Sequence, residues 1–581
     1  MKTLKLILFA LIWCITSSQA QTSINAIEGI PKESYKYWPN FNYSNNISSV
    51  KAQEWVETDH TIEGWDFSLP NGLKPSERSS ITTIFSYKLS TDEIKPAPKS
   101  TFPMNIACEM WVNWREIEPI EGVYRWDQLK KSILSMKAKG YNVLLRILTS
   151  GYSCHDDPEL GYAPKWMENY DITKMEFPPK LGKSGVKCYY PGDPNFHSRY
   201  VKLVDGLGKS GIPDLVQGAY VGYGYRSPGE ERISPMGTVP DTIPHVIERL
   251  DAWGRAFKGQ THKVYMGGNS EHGFELGFGI RRGFVEMYWC AIPETNIGQH
   301  IDQDGYLYIN EEAHVIAKNT FNYEINEMYH EMWATEPHAY LFGNSTDSFS
   351  YRYFMSQLRS LQMRCSAVVT RGNLIPEMIP FLSMELGRTI DDTPDIWSFM
   401  CSTTLKAGVF RGVNFDGSKR TFYRELTSED FGNGIEAKHF ERWLYQRDRV
   451  GYETEPAMKI PHAIRMGQIH LGKNHDYIAR RGAKIGFYAD DRFDEHKGKK
   501  AIKITYLDEK AGKMVLKYKD KKGRANSSTV ELCGDNCLKT STIILDNISL
   551  VAPTAEEFDF TLEAQGGASD ICVSMVRIVK I

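Results

Sequence analysis

Between residues 79 and 450, short apolar runs alternate with stretches of helical periodicity, and this alternation restricts the fold more than any other feature of the chain. Runs at Met104 to Trp111, Tyr141 to Leu148, Val216 to Tyr225 and Lys263 to Gly267 read as strands, with helical patterns near Trp126 to Lys139 and Phe196 to Lys209. Strands alternating with helices pair in parallel, because each crossover returns the chain to the same end of the sheet. The run is longer than one open nucleotide-binding sheet needs, and no GxGxxG opens it. The expected fold class is α/β, a (β/α)8 TIM barrel with its active site at the carboxyl ends of the strands.

From about 467 the texture changes to β-type segments at Lys500 to Leu507, Met514 to Tyr518, Ser541 to Leu545 and Asp570 to Val579, separated by Gly, Asp and Lys turns. A C-terminal β-sandwich over 467–581 is expected, either binding glycan or buttressing the barrel. Residues 21–78, rich in Asn, Ser, Trp and Tyr, read as a lead-in that packs on the barrel without a core of its own.

The first twenty residues combine Lys2 and Lys5, an apolar run from Leu6 to Ile15, and small residues at Ser18-Gln19-Ala20. They are expected to be a signal peptide, giving a secreted or periplasmic chain that begins near Gln21. Trp13 before Cys14 argues against lipidation. No later apolar stretch reaches the roughly 20 residues of a membrane span. The formal charge of -3 and the lack of a long basic run with interleaved aromatics argue against nucleic acid. Beyond the leader nine cysteines remain, an odd number, so at least one is unpaired; Cys533 with Cys537, and Cys154 with Cys188, are candidate disulfides. No CxxC or HExxH spacing marks a metal centre, and neither a metal nor a cofactor is expected.

The most specific segment runs Trp111-Val-Asn-Trp114-Arg-Glu-Ile-Glu118-Pro119-Ile-Glu-Gly122-Val-Tyr124-Arg-Trp126-Asp127, then a helix, then Tyr141-Asn-Val-Leu-Leu-Arg146, with Ala163-Pro164-Lys165-Trp166 beyond. It resembles the second and third strands of clan A (β/α)8 glycoside hydrolases, and is similar to family 42 β-galactosidases and related enzymes. The resemblance implies cleavage of β-galactosidic or related linkages by a retaining, two-carboxylate mechanism. Its substrate would be an oligo- or polysaccharide, such as a neutral or sulfated galactan of the carrageenan type.

Glycoside cleavage needs one carboxyl to protonate the leaving oxygen and a second to meet the oxocarbenium-like carbon. The resemblance makes Val216 to Tyr225 the fourth strand, after which clan A places its acid/base glutamate; Glu230 matches, with Glu231 as rival, although Ser-Pro-Gly-Glu-Glu stands where the clan has Asn-Glu. The clan's nucleophile lies on the seventh strand, and Glu324, Glu327 and Glu385 compete for it. Glu324 and Glu327 rank first, because the apolar positions around Glu385 fit helical spacing. Trp111, Trp114 and Trp166 are candidates to stack on a sugar ring, and Glu271 to bind its hydroxyls, while core packing is the other use of such aromatics. Arg146 and Arg226 could meet a sulfate or form ion pairs. Two other readings are open: a non-catalytic glycan-binding protein on a degenerate barrel, and a polysaccharide lyase with Tyr265 or His272 as base.

Overall fold

The computed structural model describes residues 47–48, 64–97 except 71, 103–149, 162–177, 186–222, 233, 240–267, 270–283, 299–309 except 303, 323–326, 349–369, 379–405, 435–460, 476–494 and 498–581 except 553 and 555. Eight strands close into a barrel: β1 (Ser80–Ser86), β2 (Ile106–Asn113), β3 (Asn142–Leu148), β4 (Gly218–Val221), β5 (Val264–Met266), β6 (Gly279–Gly283), β7 (Tyr323–Asn326) and β8 (Cys365–Val369). Every neighbouring pair is parallel, and β8 returns to β1 through Ala367 opposite Ser80, so the ring order is the chain order.

The two-residue period of a strand sorts its side chains. On β2, Ile106, Cys108, Met110 and Val112 join the main core beneath the helices, whereas Ala107 joins Leu144, Tyr220, Tyr265 and Ala367 in a separate cluster inside the barrel. The outer layer includes α1 (Trp126–Ala138), which buries Leu129, Ser132, Ile133 and Met136 along one stripe. It stops where Gly140 takes a φ of 89° and the Tyr141 N–H reaches back to the Met136 carbonyl, a left-handed cap that glycine adopts without steric cost. Helix α2 (Pro194–Lys209) starts under Asp193, whose carboxylate accepts from the N–H groups of Asn195 and Phe196, with Pro194 in the first turn. Helix α3 (Val246–Ala256) lies beside it, and α4 (Phe349–Gln362) and α5 (Ile379–Glu385) flank β8. The helical spacing read around Glu385 is realised in α5.

Strands from Asp395 onward pair antiparallel. One sheet contains β9 (Asp395–Leu405), β10 (Ile435–Arg442), β12 (Glu455–Ile460), β13 (Asp476–Gly482), β15 (Lys500–Asp508), β18 (Cys537–Leu545) and β20 (Ile571–Lys580), with Ile47–Ser48 beside β18. The other contains β11 (Leu444–Gln446), β14 (Lys484–Ala489), β16 (Ala511–Lys519), β17 (Ala525–Cys533) and β19 (Phe560–Gln565). Ile502, Ile504, Val576 and Ile578 of the larger sheet share a core with Phe487, Leu516, Phe560 and Leu562 of the smaller. Trp397, Phe399, Leu538 and Met575 turn the other way, into the core of the barrel side. The large sheet is therefore covered on both faces, and all nine residues of β15 are buried. The changeover from barrel to antiparallel sheet falls near Asp395, not near the 450 expected from sequence.

The lead-in inserts Trp65 and Phe67 at this junction, stacked 5.9 Å apart, with Phe67 5.0 Å from Phe381 of α5 and Trp65 5.8 Å from Phe399 of β9. Burial of such rings contributes roughly 4–6 kcal/mol each as an upper bound. Charges are buried there as well. Arg577 holds Asp395 through Nε at 2.7 Å, Lys503 holds Asp66, and Arg442 lies 3.4 Å from Glu385. Cys533 and Cys537 are free thiols, as is Cys188, so the first candidate disulfide is absent; Cys154 lies outside the described residues.

Candidate active site

At the carboxyl ends of the first four strands, side chains of the barrel interior form a charged and aromatic cluster. Glu109 of β2 is fully buried, and its Oε1 accepts from the Trp111 indole N–H at 2.7 Å and from Arg146 Nη1 of β3 at 3.3 Å. The Arg146 guanidinium lies over the Trp111 ring at 4.3 Å and over the Tyr220 ring of β4 at 5.4 Å. Burial makes a carboxylate and a guanidinium obligatory partners, since either alone would carry its full desolvation penalty. Beyond this pair Trp111 meets Phe85 and Tyr87 edge-on, at 6.2 and 5.4 Å, and Tyr87 keeps 38% of its surface open. The result is an aromatic rim with one accessible face, the chemistry that the C–H face of a sugar ring requires.

Arg146 thus takes the ion-pair role, and at 1% side-chain exposure it is closed to a substrate sulfate as the site stands. Glu109 was not singled out in the sequence. Its signal was available: Ala107, Glu109 and Trp111 occupy alternate positions of one strand, so the carboxylate and the indole share one face.

The other sequence candidates scatter. Trp111 stands at the mouth, half-buried. Trp114 is fully buried, with its indole N–H on Glu118 Oε2 at 2.7 Å and its ring against Trp166, Phe196 and Tyr200. A sugar-stacking role for Trp114 is therefore replaced by packing. Trp166 donates to the Glu118 carbonyl at 2.9 Å and meets Tyr170 edge-on, which ties one loop to another. Glu118 Oε1 also accepts from the Gly122 N–H at 2.7 Å, and burial above all raises its carboxyl from the usual range. The most specific motif of the sequence thus builds the loop after β2.

Glu271 is exposed in the first turn of the short helix Glu271–Glu275 that follows β5. Glu324 lies on β7, in register with Ala367 of β8 and Arg281 of β6. Glu230, Glu231, Arg226 and Glu327 lie outside the described residues. Glu385 is fully buried beside Arg442 and Asp395 at the junction with the large sheet, away from the mouth. Burial, and then the neighbouring Asp395, push its carboxyl well above the ordinary range.

The two lyase bases do not meet. The Tyr265 hydroxyl bonds Ser366 Oγ at 2.9 Å, and its pKa is pushed up to about 12 by burial. His272 Nε2 pairs with Asp251 at 2.7 Å on the helical layer. A polar cavity of about 250 Å³ lies at the opposite, amino ends of the strands, lined by Glu77, Arg78, Asn142, Gln217, His262 and Lys263. In barrels of this kind that end serves stability, and catalysis sits at the other.

No family model and no curated protein matches the chain. Among solved structures it is similar to the catalytic domain of a β-amylase from Paenibacillus polymyxa, at 9% identity and a TM-score of 0.31 over 54% of this chain and 99% of that one. It is also similar to an exo-β-1,4-mannosidase from Opitutaceae bacterium strain TAV5, at 10% identity and 0.23 over 48% and 49%. A β-galactosidase from Rahnella sp. R3 aligns at 14% identity and 0.21 over 45% of each chain. At these TM-scores the likenesses carry no argument about this chain, whose barrel is read from its own strand pairing.

Proposed function

We propose that the chain is a glycoside hydrolase in which Glu230 is the acid/base and Glu324 or Glu327 the second carboxylate. The ring order carries this reading. The segment with Glu230 leaves the fourth strand, Glu324 lies on the seventh, and Glu327 follows one residue after its end. Strand ends that converge on one mouth can present two carboxyls to one glycosidic bond, which is the requirement of the chemistry. Function attaches to such residues and not to the barrel as such, so the carboxylates are what must be tested.

In this mechanism protonated Glu230 donates to the leaving oxygen while the second carboxylate attacks the anomeric carbon. Glu230 then takes a proton from the water that releases the glycosyl-enzyme. Tyr87 and Trp111 form the aromatic rim against which a sugar ring would rest. The substrate is a β-galactoside or galactan, an inference from the resemblance of the segment 111–166. Export is part of the same reading.

The test is release of sugars from β-galactosides and from neutral and sulfated galactans by the chain lacking residues 1–20 and by its Glu230→Gln, Glu324→Gln and Glu327→Gln variants. Wild-type release should fall about 10²–10⁴-fold in Glu230→Gln and in one of the other two, since positioned proton transfer contributes on that order. The anomer first formed, read by NMR, should keep the substrate's configuration. Release that is equal in Glu230→Gln would remove the assignment, and sugar binding with no release by the wild type would replace hydrolysis with recognition.

A further inference from the structure

We propose that His197, His245 and Glu248 form a binding site for a divalent first-row transition ion, Zn²⁺ foremost, between the first turns of α2 and α3. The two imidazoles lie face to face, with ring centroids 4.3 Å apart and planes 13° from parallel. Ligand atoms of the three side chains all lie within 4.8 Å of one another, and His245 Nδ1 is 4.0 Å from Glu248 Oε1. A tetrahedral ion with bonds of about 2.0–2.1 Å needs donors roughly 3.3–3.4 Å apart. The exposed Glu248 side chain and a small ring rotation can close that difference. Two imidazoles, one carboxylate and a water make up a familiar donor set for Zn²⁺.

Two further features suit a metal. His245, the residue before α3, has a φ of 69°, a left-handed backbone that side chains with a β-carbon seldom adopt. It is held there in the position that stacks its ring on His197. The Arg249 guanidinium is already engaged, donating to the carbonyls of Ile233 at 3.0 Å and Pro244 at 3.3 Å, and Glu248 supplies the opposing charge.

The position gives the ion a structural task. Helix α2 ends the crossover that leaves β3, and α3 ends the crossover from β4, the one that includes Glu230. Behind the histidines the same helices are linked by the Trp253 indole N–H on the Tyr200 hydroxyl at 2.6 Å, which in turn donates to the Gly222 carbonyl just after β4 at 2.9 Å. An ion at the helix starts would clamp both crossovers on the carboxyl side of the barrel. His197 and His245 are far apart in sequence, so no short motif could reveal the site.

The experiment uses the chain from residue 21 without an affinity tag, stripped with a chelator, dialysed, and titrated with Zn²⁺ and Co²⁺ by calorimetry, with melting curves and the Co²⁺ visible spectrum as second readouts. Expected are one ion per chain, a rise in Tm on binding, and the intense absorption of tetrahedral Co²⁺. His245→Asn, whose side chain tolerates the left-handed backbone, and His197→Ala should lose that spectrum and bind at least tenfold more weakly, with Glu248→Gln in between. A folded parent that takes up no ion overturns the proposal, as does a folded His245→Asn variant that binds as tightly as the parent.

Discussion

Arg146 and Glu109 meet at 3.3 Å inside the barrel mouth with 1% and 0% of their side-chain surfaces exposed, although they are 37 positions apart in sequence. The pair supports Trp111 from below, because Glu109 accepts its indole N–H and Arg146 lies over its ring. Truncating one partner leaves a buried charge without compensation, which costs about 3–5 kcal/mol. Glu109→Ala and Arg146→Ala should each destabilise by that amount in denaturant unfolding. The double variant should cost clearly less than the sum, and additivity within about 0.5 kcal/mol would show that the two do not interact.

Glu118 joins Trp114 and Gly122, so its removal should loosen the loop after β2 without touching the mouth. Two bonds to a buried carboxylate are lost in Glu118→Ala, and a decrease of about 2–4 kcal/mol is expected. Glu118→Gln keeps one acceptor and should fall between. Equal stability of the alanine variant and the wild type in urea would show the bonds to be incidental.

Glu385 offers a control for the assignment of the second carboxylate. Alanine in its place opens space at the fully buried junction beside Arg442, a cavity cost of about 2–5 kcal/mol. Its folded carboxyl is raised, so the stability linked to it is complete below the ordinary value of 4.5 and is lost as pH rises through the folded value. Glu385→Gln abolishes that loss, and near pH 7 it should melt no lower than the wild type and retain whatever sugar release the wild type shows. Loss of turnover in a stable Glu385→Gln would return this residue to the catalytic candidates.

Asp559 is a second titrating group with a calculable sign. Its carboxylate accepts the Ala489 N–H at 2.6 Å, yet burial, with Asp491 and Asp494 nearby, raises its pKa to about 7. The folded state holds this proton more tightly than the unfolded chain, whose value is near 3.8. Stability from this group is therefore full below about 3.8, declines as pH rises, and is gone above about 7. The difference in Tm between wild type and Asp559→Asn should shift in favour of the variant from pH 5 to pH 8, and a constant difference would contradict the assignment.

Much of the barrel was legible because its early strands carry their signal locally. The runs ending at Trp111 and Leu148 are apolar, and the helices between strands show a regular buried stripe. At β6 the sequence Gly-Ile-Arg-Arg-Gly offers no apolar run to mark a strand. At β9 Asp-Ile-Trp-Ser-Phe-Met-Cys is buried on both faces and so lacks the alternation that would distinguish an antiparallel strand from a barrel strand.

The candidate site divides in the same way. The sequence by itself determined the early strands and the helices between them, the Trp, Glu-Pro, Gly and Tyr spacing of the loop after β2, and the supply of carboxylates, because these rest on periodicity and on bonds between residues a few positions apart. Only the tertiary structure decided that Trp114 is packed while Trp111 borders the mouth, that Glu109 belongs to Arg146, that Glu385 belongs to Arg442, and that two distant histidines stack. Each of these depends on which surfaces barrel closure and sheet docking remove from water, and a buried charge or indole N–H must then take whatever partner the fold brings to it.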